Sequence, residues 1–402
     1  MANENLTKAK NAKNDEFYTQ YMDIQKEINA YLEYNPDVFR GKTILLPCDD
    51  PEWSNFTRFF AQNFDKFGIK KLISTSYARS EKKKKYQTED YHQISIFELD
   101  SPIFDEEKSD SRGRIFTLSR EKNRKGRIDI NDLEWHYLEG DGDFQSDEVK
   151  ALRHEADIIV TNPPFSQYIE FVRWLYEEDK QFLIIGNKSS ITIKEIFPLI
   201  MNNKMWSGAT SWSGGLWFQV PDAPSAEESG SSYQKINGLW HKNVSSTWFT
   251  NIEHGRRHQP LSLMTLQDNI RYSSHKGVKG VGYLHYDNYD AIDVPFTDAI
   301  PSDYTEVMGV PVTFLEKYCP EQFEILGITL GNTVDYEMTK IYKDAVQHNK
   351  NGTTQGGSKV NTRAAILVDE CPVGTVYYTA ENADGYLLSI YPRILIRRRK
   401  TE

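Results

Sequence analysis

Short apolar runs alternate with longer amphipathic stretches through the first half of the chain. The apolar runs predict five strands: Ile44–Leu46, Lys71–Ser74, Trp135–Leu138, the β-branched run Ala156–Thr161, and Phe182–Gly186. Between the first two strands, phenylalanines spaced for one helix face precede Gly68, which is expected to end that helix. Such alternation is typical of a doubly wound parallel sheet, and we therefore expect an α/β fold.

The pattern becomes irregular in two places within this part of the chain. Residues 79–130 are highly charged, and Gly113 and Gly126 indicate a hairpin or a flexible insertion there. Leu216–Val220 and Thr247–Ile252 are strand-like segments separated by a polar loop. We expect these two segments to form the antiparallel hairpin that closes sheets of this kind.

The C-terminal part of the chain lacks the helix–strand alternation. Tyrosines crowd residues 283–289, Asn351–Ser358 is a glycine-rich polar loop, and Tyr391–Ile396 is strand-like before an arginine run. These features predict an irregular α+β module. The chain is thus predicted to have two parts, residues 1–255 and residues 256–402.

Composition narrows the class of protein. The 402 residues carry a formal net charge of -10 and are 39% hydrophobic, with no apolar run near the ~18 residues of a membrane span. The N-terminus is polar and lacks the apolar core of a signal peptide. Three cysteines without metal-like spacing, Cys48, Cys319 and Cys371, favour a reducing cytoplasm without disulfides or zinc. We therefore expect a cytoplasmic protein with no membrane contact and no metal site.

The distribution of basic residues qualifies the negative net charge. A net charge of this sign argues mildly against a nucleic-acid partner. Basic residues nevertheless cluster at Lys82–Lys85, at residues 120–127, at Arg256–Arg257 and at Arg397–Lys400. Each cluster alone is more typical of a solvated surface than of a phosphate contact, but several clusters in one chain are consistent with a basic face.

The tetrapeptide Asn162-Pro163-Pro164-Phe165 follows the fourth predicted strand and precedes an amphipathic helix pattern. It therefore predicts a tight turn at the carboxyl end of a strand, where open α/β sheets bind ligands. Because Pro164 has no N–H, nothing on that peptide unit competes for the Pro163 carbonyl oxygen, and the Asn162 side-chain oxygen is a second acceptor. Phe165 offers a flat face to an aromatic ring. These groups predict a pocket for the amino group of a planar base, as in amino-group methyltransferases; a proline turn that merely ends the strand is the alternative.

Two further polar segments follow predicted strands. They are Cys48-Asp49-Asp50-Pro51 with Ser54-Asn55, and Gly142-Asp143-Phe144. The first precedes a helix N-terminus, which favours an anion such as an amino-acid carboxylate, and a nearby Asp can bind an ammonium group. S-adenosylmethionine carries both groups, although a capped helix is the alternative interpretation. The second segment offers a carboxylate and a ring that suit an adenine.

Taken in order, these segments resemble the EcoRI-type family of adenine-specific DNA methyltransferases. The resemblance is carried by the stretches Asp15–Tyr21, Cys48–Phe56, Gly140–Ser146, Ala156–Ser166, Trp248–Leu261, Tyr286–Ile292 and Met308–Phe314. It covers most of the chain apart from residues 101–130 and 340–385. Asn-Pro-Pro-Phe is specific to amino-group methylation, and its combination with CDDP and HGRRHQPL is specific to this family.

The resemblance implies a Rossmann-like, S-adenosylmethionine-dependent methyltransferase sheet, followed by an irregular C-terminal target-recognition region. Asn162 to Phe165 would hold an adenine flipped out of double-stranded DNA. The residues implied to contact the cofactor are Tyr18, Thr19, Cys48, Asp49, Asp50, Pro51, Ser54, Asn55, Asp143 and Phe144. Candidates for DNA contacts are His254, Arg256, Arg257 and His258, each of which is also explained by surface solvation alone.

Two departures and several alternatives accompany this interpretation. The usual glycine-rich loop is absent at Pro47 to Asn55, an absence that the EcoRI-type family shares, and Ser74 to Ala78 contains no carboxylate for the ribose hydroxyls. Methylation of RNA adenine or of a protein glutamine is the alternative within enzymes. A non-catalytic DNA-binding protein that kept the fold is the alternative outside them. We expect a monomer, and a restriction endonuclease acting on the same DNA site is a candidate functional partner.

Overall fold

The computed structural model describes residues 18–49, 54–78, 103–120, 132–210, 212, 214–220, 232–330 and 336–399. The chain divides into two compact units. The N-terminal unit is built from residues 1–188 and 206–255, and the C-terminal unit from residues 189–205 and 256–402. Residues 189–205 thus belong with the C-terminal unit, although they lie within the first of the two parts that the sequence pattern separates.

In the described part of the N-terminal unit, twelve strands form the sheets. They are β1 Tyr18–Thr19, β2 Thr43–Leu46, β3 Lys71–Ser76, β4 Arg114–Ser119, β5 Glu134–Tyr137, β6 Ile158–Thr161, β7 Gln181–Asn187, β8 Trp206–Ser207, β9 Leu216–Gln219, β10 Tyr233–Ile236, β11 Leu239–Val244 and β12 Ser246–Thr250. Its helices are α1 Tyr21–Tyr34, α2 Asn55–Gln62, α3 Phe64–Phe67, α4 Glu106–Ser111, α5 Asp147–Glu155 and α6 Tyr168–Tyr176. A 3-10 turn, Phe165–Gln167, directly precedes α6.

An eight-stranded mixed sheet lies at the centre of this unit, in the order β5-β4-β3-β2-β6-β7-β12-β8. Its four central strands β3, β2, β6 and β7 run parallel to their neighbours in that group. The strands outside them are antiparallel to their neighbours. The α/β class is as expected, but the parallel arrangement is limited to the four central strands, which are buried almost throughout as parallel strands usually are.

The peripheral strands correct two expectations from the sequence. The segment predicted as a third strand of a parallel sheet, β5, is instead a half-exposed edge strand antiparallel to β4, which lies within the region predicted to be irregular. The predicted hairpin of Leu216–Val220 with Thr247–Ile252 was wrong. The first segment forms β9 in a separate four-stranded sheet, β1-β9-β11-β10, whereas the fully buried β12 pairs with β7.

Aromatic side chains from the first helices fill one side of the large sheet. The predicted helix is split into α2 and α3 at Asn63, and its phenylalanines are buried as their spacing predicts. The rings of Phe59 and Phe60 meet edge to face at 5.5 Å, and Phe39 contacts Phe60 in the same way at 5.5 Å. Burial of several rings, each removing a large apolar area from water, is the main stabilisation of this layer.

A buried carboxylate attaches α1 to the segment that follows β8. Glu27 is fully buried and accepts the main-chain N–H groups of Ala209 at 2.7 Å and Thr210 at 2.8 Å. The Tyr31 hydroxyl donates to the same carboxylate at 3.0 Å. Burial raises the pKa of Glu27, and the hydrogen bonds that it accepts oppose that shift.

Two five-stranded sheets lie in the described part of the C-terminal unit. Its strands are β13 Leu284–His285, β14 Ile292–Asp293, β15 Met308–Pro311, β16 Phe323–Ile328, β17 Val346–His348, β18 Thr354–Gly356, β19 Ala365–Val368, β20 Tyr377–Thr379, β21 Tyr386–Ser389 and β22 Arg393–Arg398. Its helices are α7 Phe197–Met201 and α8 Leu266–Tyr272. The sheet orders are β13-β14-β15-β22-β16 and β18-β17-β20-β21-β19.

One predicted segment of this unit is confirmed and another differs from its predicted form. The strand predicted at Tyr391–Ile396 is confirmed as β22, which extends into the arginine run and lies in the interior of its sheet between β15 and β16. The polar loop predicted at Asn351–Ser358 contains β18, paired with β17 as a hairpin. Within the described ranges, no helix is long and apolar enough to cross a membrane.

Candidate active site

The four parallel strands of the N-terminal unit end at one edge of the sheet. Hydrogen bonds join the segments that follow them. The Thr161 hydroxyl at the end of β6 donates to the Pro47 carbonyl oxygen after β2, at 2.7 Å. The Asp49 N–H donates to the Thr75 carbonyl oxygen in β3, also at 2.7 Å. The turns after β2 and β6 are therefore neighbours, as a ligand site at the carboxyl edge of parallel strands requires.

The Asn162–Phe165 turn lies directly after β6, as predicted. Pro163 and Pro164 are buried, while Asn162 and Phe165 are half-buried. The Pro164 carbonyl oxygen accepts the N–H of Gln167 at 2.9 Å and so begins the 3-10 turn. Within the described part of the chain, no group donates to the carbonyl oxygen of the buried Pro163. Because buried carbonyls are seldom left without a donor, this oxygen is suited to a ligand N–H.

Packing on both sides fixes the position of this turn. The Phe165 ring packs against the aromatic core beneath the sheet. On the other side, the Tyr168 ring at the start of α6 lies directly over Gly186 in β7. A Cβ atom at Gly186 would lie 2.5 Å from that ring, so that only glycine allows this approach. The packing of Phe165 and of Tyr168 therefore holds the turn in place between β6 and α6.

The turn after β2 is organised around the buried Asp49 carboxylate. Thr57 donates its N–H and its hydroxyl to Asp49 Oδ2 at 3.2 and 2.7 Å, and the Ser54 hydroxyl donates to Oδ1. The Ser74 hydroxyl in β3 donates to the Asp49 carbonyl oxygen. Ser54 is also the N-cap of α2, accepting the Phe56 N–H at 3.1 Å. Asp49 thus supplies the anion that this helix N-terminus attracts.

This network changes the expected roles at the turn. The first amides of α2, which the sequence suggested for a cofactor carboxylate, already bond Ser54 and Asp49. Asp49 therefore acts on the shape of the turn rather than as a free carboxylate. The hydroxyls of Thr57 and Ser74, which complete the network, carry no local sequence signal and were not predicted. Asp50 and Pro51 lie outside the described residues.

Four other predicted cofactor residues lie in or near this turn: Cys48, Asn55, Thr19 and Tyr18. Cys48 has a φ of 62°, which is uncommon for a residue with a Cβ, and its thiol donates to the Tyr77 hydroxyl at 3.4 Å. Asn55 donates its side-chain amide to the Thr19 carbonyl oxygen at 2.8 Å and so draws β1 to the start of α2. The buried Thr19 hydroxyl has no hydrogen-bond partner among the described residues. Tyr18 pairs with Gln219 in the β1–β9 ladder.

The Gly140–Phe144 loop lies against the end of β3. Ala78 donates its N–H to the Asp141 carbonyl oxygen at 2.8 Å. Gly142 has a φ of +87°, and a Cβ there would lie 2.3 Å from the Ser76 carbonyl oxygen. Asp143 is half-buried and accepts the Gln145 N–H at 2.7 Å. The loop therefore brings a carboxylate to the same edge as the turns after β2 and β6.

The Phe144 ring is fully buried. It meets the ring of Phe171 at 5.1 Å and that of Trp174 at 5.7 Å, both edge to face, beneath α6. Its faces are therefore used in the core, and any cofactor contact from this residue would come from its main chain.

The four predicted DNA contacts are divided between the two units. In the N-terminal unit, His254 is 2% exposed, with its ring edge-on to Tyr31 and Nε2 donating to the Ser207 carbonyl oxygen at 3.0 Å. The other three contact groups of the C-terminal unit: Arg256 to Glu316 at 2.6 Å, Arg257 to Asn203 at 2.9 Å, and His258 to Glu321 at 2.8 Å. His254 and Arg257 are buried, and their side chains therefore pack within their own units. Arg256 and His258 are partly exposed and stay predicted DNA contacts.

The fold and the arrangement of these turns define a class of protein: an α/β protein with polar turns at the carboxyl edge of its parallel strands, where proteins of this architecture bind their ligands. The sequence model of one family, described as "Adenine-specific methyltransferase EcoRI", matches residues 5–368. The chain belongs to this family and is an adenine-specific DNA methyltransferase.

Individual relatives agree with this family. Type II methyltransferase M.EcoRI of Escherichia coli is 38% identical over 332 residues, covering 82% of this chain and 90% of the relative. Type II methyltransferase M.MpnI of Mycoplasma pneumoniae is 32% identical over 348 residues, covering 84% of this chain and 90% of the relative. Type II methyltransferase M.MgeORF184P of Mycoplasma genitalium is 32% identical over 329 residues, covering 80% and 85%. No solved structure matches the chain significantly.

Proposed function

We propose that the N-terminal unit is a Rossmann-like catalytic domain that binds S-adenosylmethionine and methylates the exocyclic amino group of an adenine flipped out of double-stranded DNA. The observation that carries this proposal is the buried Pro163 carbonyl oxygen, which accepts no hydrogen bond within the described residues and lies beside the Asn162 side chain. Two acceptors in one rigid turn match the two N–H groups of a single –NH2.

The residues at the carboxyl edge fit S-adenosylmethionine, which supplies an electrophilic methyl group when bound. The buried Thr19 hydroxyl lacks a protein partner among the described residues and is available to a polar group of the cofactor. The Asp143 carboxylate, on the loop against β3, suits the adenine amino group of the cofactor. Tyr18, Cys48, Ser54 and Asn55 would line the site, and Asp49 would fix its shape.

The remaining predicted cofactor residues have narrower roles in this proposal. Asp50 and Pro51 stay in it on the family resemblance alone. Phe144 would take part through its main chain, because its ring is enclosed by Phe171 and Trp174.

The chain's own groups account for the activation of the target amine. The adenine amino nitrogen is a poor nucleophile because its lone pair is delocalised into the ring. Hydrogen bonds to the Asn162 side-chain oxygen and the Pro163 carbonyl oxygen would pull the nitrogen toward tetrahedral geometry and localise that lone pair. Phe165 would stack on the flipped base and offset part of the cost of unpairing it. Positioning and electrostatics, rather than a general base, would supply the rate acceleration.

The C-terminal unit would recognise the target DNA sequence in this scheme. Methyltransferases of the Type II class are named among the relatives, and we propose that this enzyme marks one DNA site that a cognate restriction endonuclease also reads. It would act as a monomer in the cytoplasm, without a stable complex with that endonuclease. The prediction that residues 256–402 carry target recognition belongs to the same proposal.

An Asn162→Ala variant tests the assignment of the acceptor turn. Methyl transfer from labelled S-adenosylmethionine to unmethylated genomic DNA is expected to fall to background, while calorimetric binding of S-adenosylmethionine persists. The exposed Asn202→Ala is the matched control and should retain full activity. Turnover of Asn162→Ala near that of the control would refute the assignment. Parallel assays on RNA and on protein substrates separate duplex DNA from the two alternative amine acceptors.

A further inference from the structure

Exposed apolar side chains are concentrated on one part of the C-terminal unit, at α8 and the loop that follows it. Tyr272 is 68% exposed, Val281 62% and Leu284 50%. Phe296, which packs against this loop, is also exposed. Large apolar groups exposed together usually mark a surface that contacts another molecule.

Internal contacts give this surface a defined shape. The Gly280 N–H donates to the Ile270 carbonyl oxygen at 2.8 Å, which returns the loop to α8. The His275 ring stacks on Phe296 at 3.7 Å with the planes 6° apart. The Tyr283 hydroxyl donates to the Ala299 carbonyl oxygen at 2.6 Å. These contacts hold α8, its loop and residues 296–299 together, and this group of segments, called the frame below, carries the exposed side chains.

Three exposed cations of this surface form no ion pair with the residues that the structure describes. Arg271, Lys276 and Lys279 are all exposed on α8 and its loop. The carboxylates of the same segments accept hydrogen bonds from within the frame: Asp268 from the Thr265 hydroxyl at 2.8 Å, Asp298 from His275 at 2.8 Å, and Asp303 from the Leu266 N–H at 2.7 Å. The three cations are thus available to bind phosphates, which require basic partners.

We propose that α8 and the loop to Leu284 form a contact surface for duplex DNA. Arg271, Lys276 and Lys279 bind backbone phosphates, and Tyr272 packs on the sugar or base edges of the same duplex. This proposal rests on the proposed function, because it names the surface that binds the substrate of that reaction. It assigns substrate binding to residues outside the HGRRHQPL segment.

A charge-removal pair tests the phosphate contacts. In fluorescence anisotropy titrations with an unmethylated duplex at several salt concentrations, Lys276→Ala/Lys279→Ala is expected to weaken DNA binding roughly tenfold. Its plot of log affinity against log salt should be shallower by about 1.8, since each phosphate contact contributes about 0.9. Lys343→Ala/Lys350→Ala removes two exposed lysines from another part of the same unit and is the matched control.

The outcomes separate the surface from the reaction. If the two double variants bind DNA with the same affinity and salt dependence, the DNA surface lies elsewhere and this proposal is overturned. A wild-type protein that fails to methylate duplex DNA would instead refute the proposed function. Tyr272→Ala supplies an independent arm: weaker DNA binding with an unchanged salt slope supports the surface, and unchanged binding counts against the role of Tyr272. Equal unfolding temperatures and equal binding of S-adenosylmethionine show that each variant is folded.

Discussion

Two turns at the same edge of the eight-stranded sheet use their polar groups in opposite ways. After β2, the Asp49 carboxylate is buried and receives hydrogen bonds from Ser54 and Thr57 within its own helix cap. After β6, two prolines remove main-chain donors, and the Pro163 carbonyl oxygen accepts no bond within the described residues. The first turn satisfies its polar groups internally, whereas the second presents an acceptor.

This difference separates architecture from chemistry at one site. A carboxylate at a sheet edge is easily taken for a ligand group, yet a buried carboxylate is tolerated only where the protein supplies its donors. An internally satisfied network should therefore act mainly on stability. An acceptor that binds a ligand should instead affect mainly the rate of methyl transfer, because its hydrogen bond forms only when the reacting amine is in place.

The largest expected effect is on the rate at the β6 turn. Asn162→Leu, which keeps the size of the side chain but removes its acceptor, should lower the single-turnover rate of methyl transfer by on the order of 10²–10³. Asn162→Asp should keep a measurable part of the rate, since a carboxylate oxygen still accepts the amine N–H. Equal rates for these two variants would show that the acceptor is not what matters.

The next effect is on stability at the β2 turn. Asp49→Ala should lower the free energy of unfolding by about 2–4 kcal/mol, because the Thr57 N–H and the two hydroxyls lose a charged acceptor in a buried place. Chemical denaturation of this variant beside Asp37→Ala, which removes an exposed carboxylate, measures the difference. The comparison of the two turns would break down if Asp49→Ala unfolded like the wild type but lost its methylation rate.

A second buried carboxylate extends the comparison to pH. Glu27→Gln should cost about 2 kcal/mol near pH 5, because the side-chain amide cannot accept both N–H groups of Ala209 and Thr210. Burial raises the pKa of Glu27 above its ordinary value of 4.5. The wild type therefore has the full stabilising contribution of this shift below pH 4.5 and loses it as the pH rises through the folded-state pKa.

The Glu27→Gln variant lacks that titration. The gap in the free energy of unfolding between wild type and variant should consequently narrow as the pH rises above 4.5. Urea denaturation at a series of pH values follows the gap, and a gap that widens with pH would contradict the direction of the shift.

The smallest expected effect is on the link between the two turns. Thr161→Val keeps the shape of the side chain but removes the hydroxyl that donates to the Pro47 carbonyl oxygen. The free energy of unfolding should fall by about 1 kcal/mol. A fall in the methylation rate of less than tenfold, with unchanged binding of S-adenosylmethionine, is expected if the link only holds the turns in register. Thr192→Val, in the C-terminal unit, is the control.

The strands of the site were predictable because each is a local run. β2 and β6 are four-residue, mainly apolar segments that are buried on both faces, and such segments can be recognised in the sequence. The turn Asn162 to Phe165 was predictable for the same reason, since its chemistry lies in consecutive residues. The pairings of the peripheral strands were harder to predict. The direction of β5 and the partner of β9 depend on contacts with other segments of the chain, which a local run does not specify.

The roles of individual side chains divide in the same way. The sequence by itself determined the α/β class, the position of the Asn162–Phe165 turn and the family, because these rest on periodicity and on contiguous motifs. Only the tertiary structure decided that Asp49 serves the cap of α2, that the Phe144 ring belongs to the core and that His254 is buried. A carboxylate, a ring or an imidazole has the same chemistry in either role. Which role it takes is set by the donors, rings and carbonyls that folding brings to it.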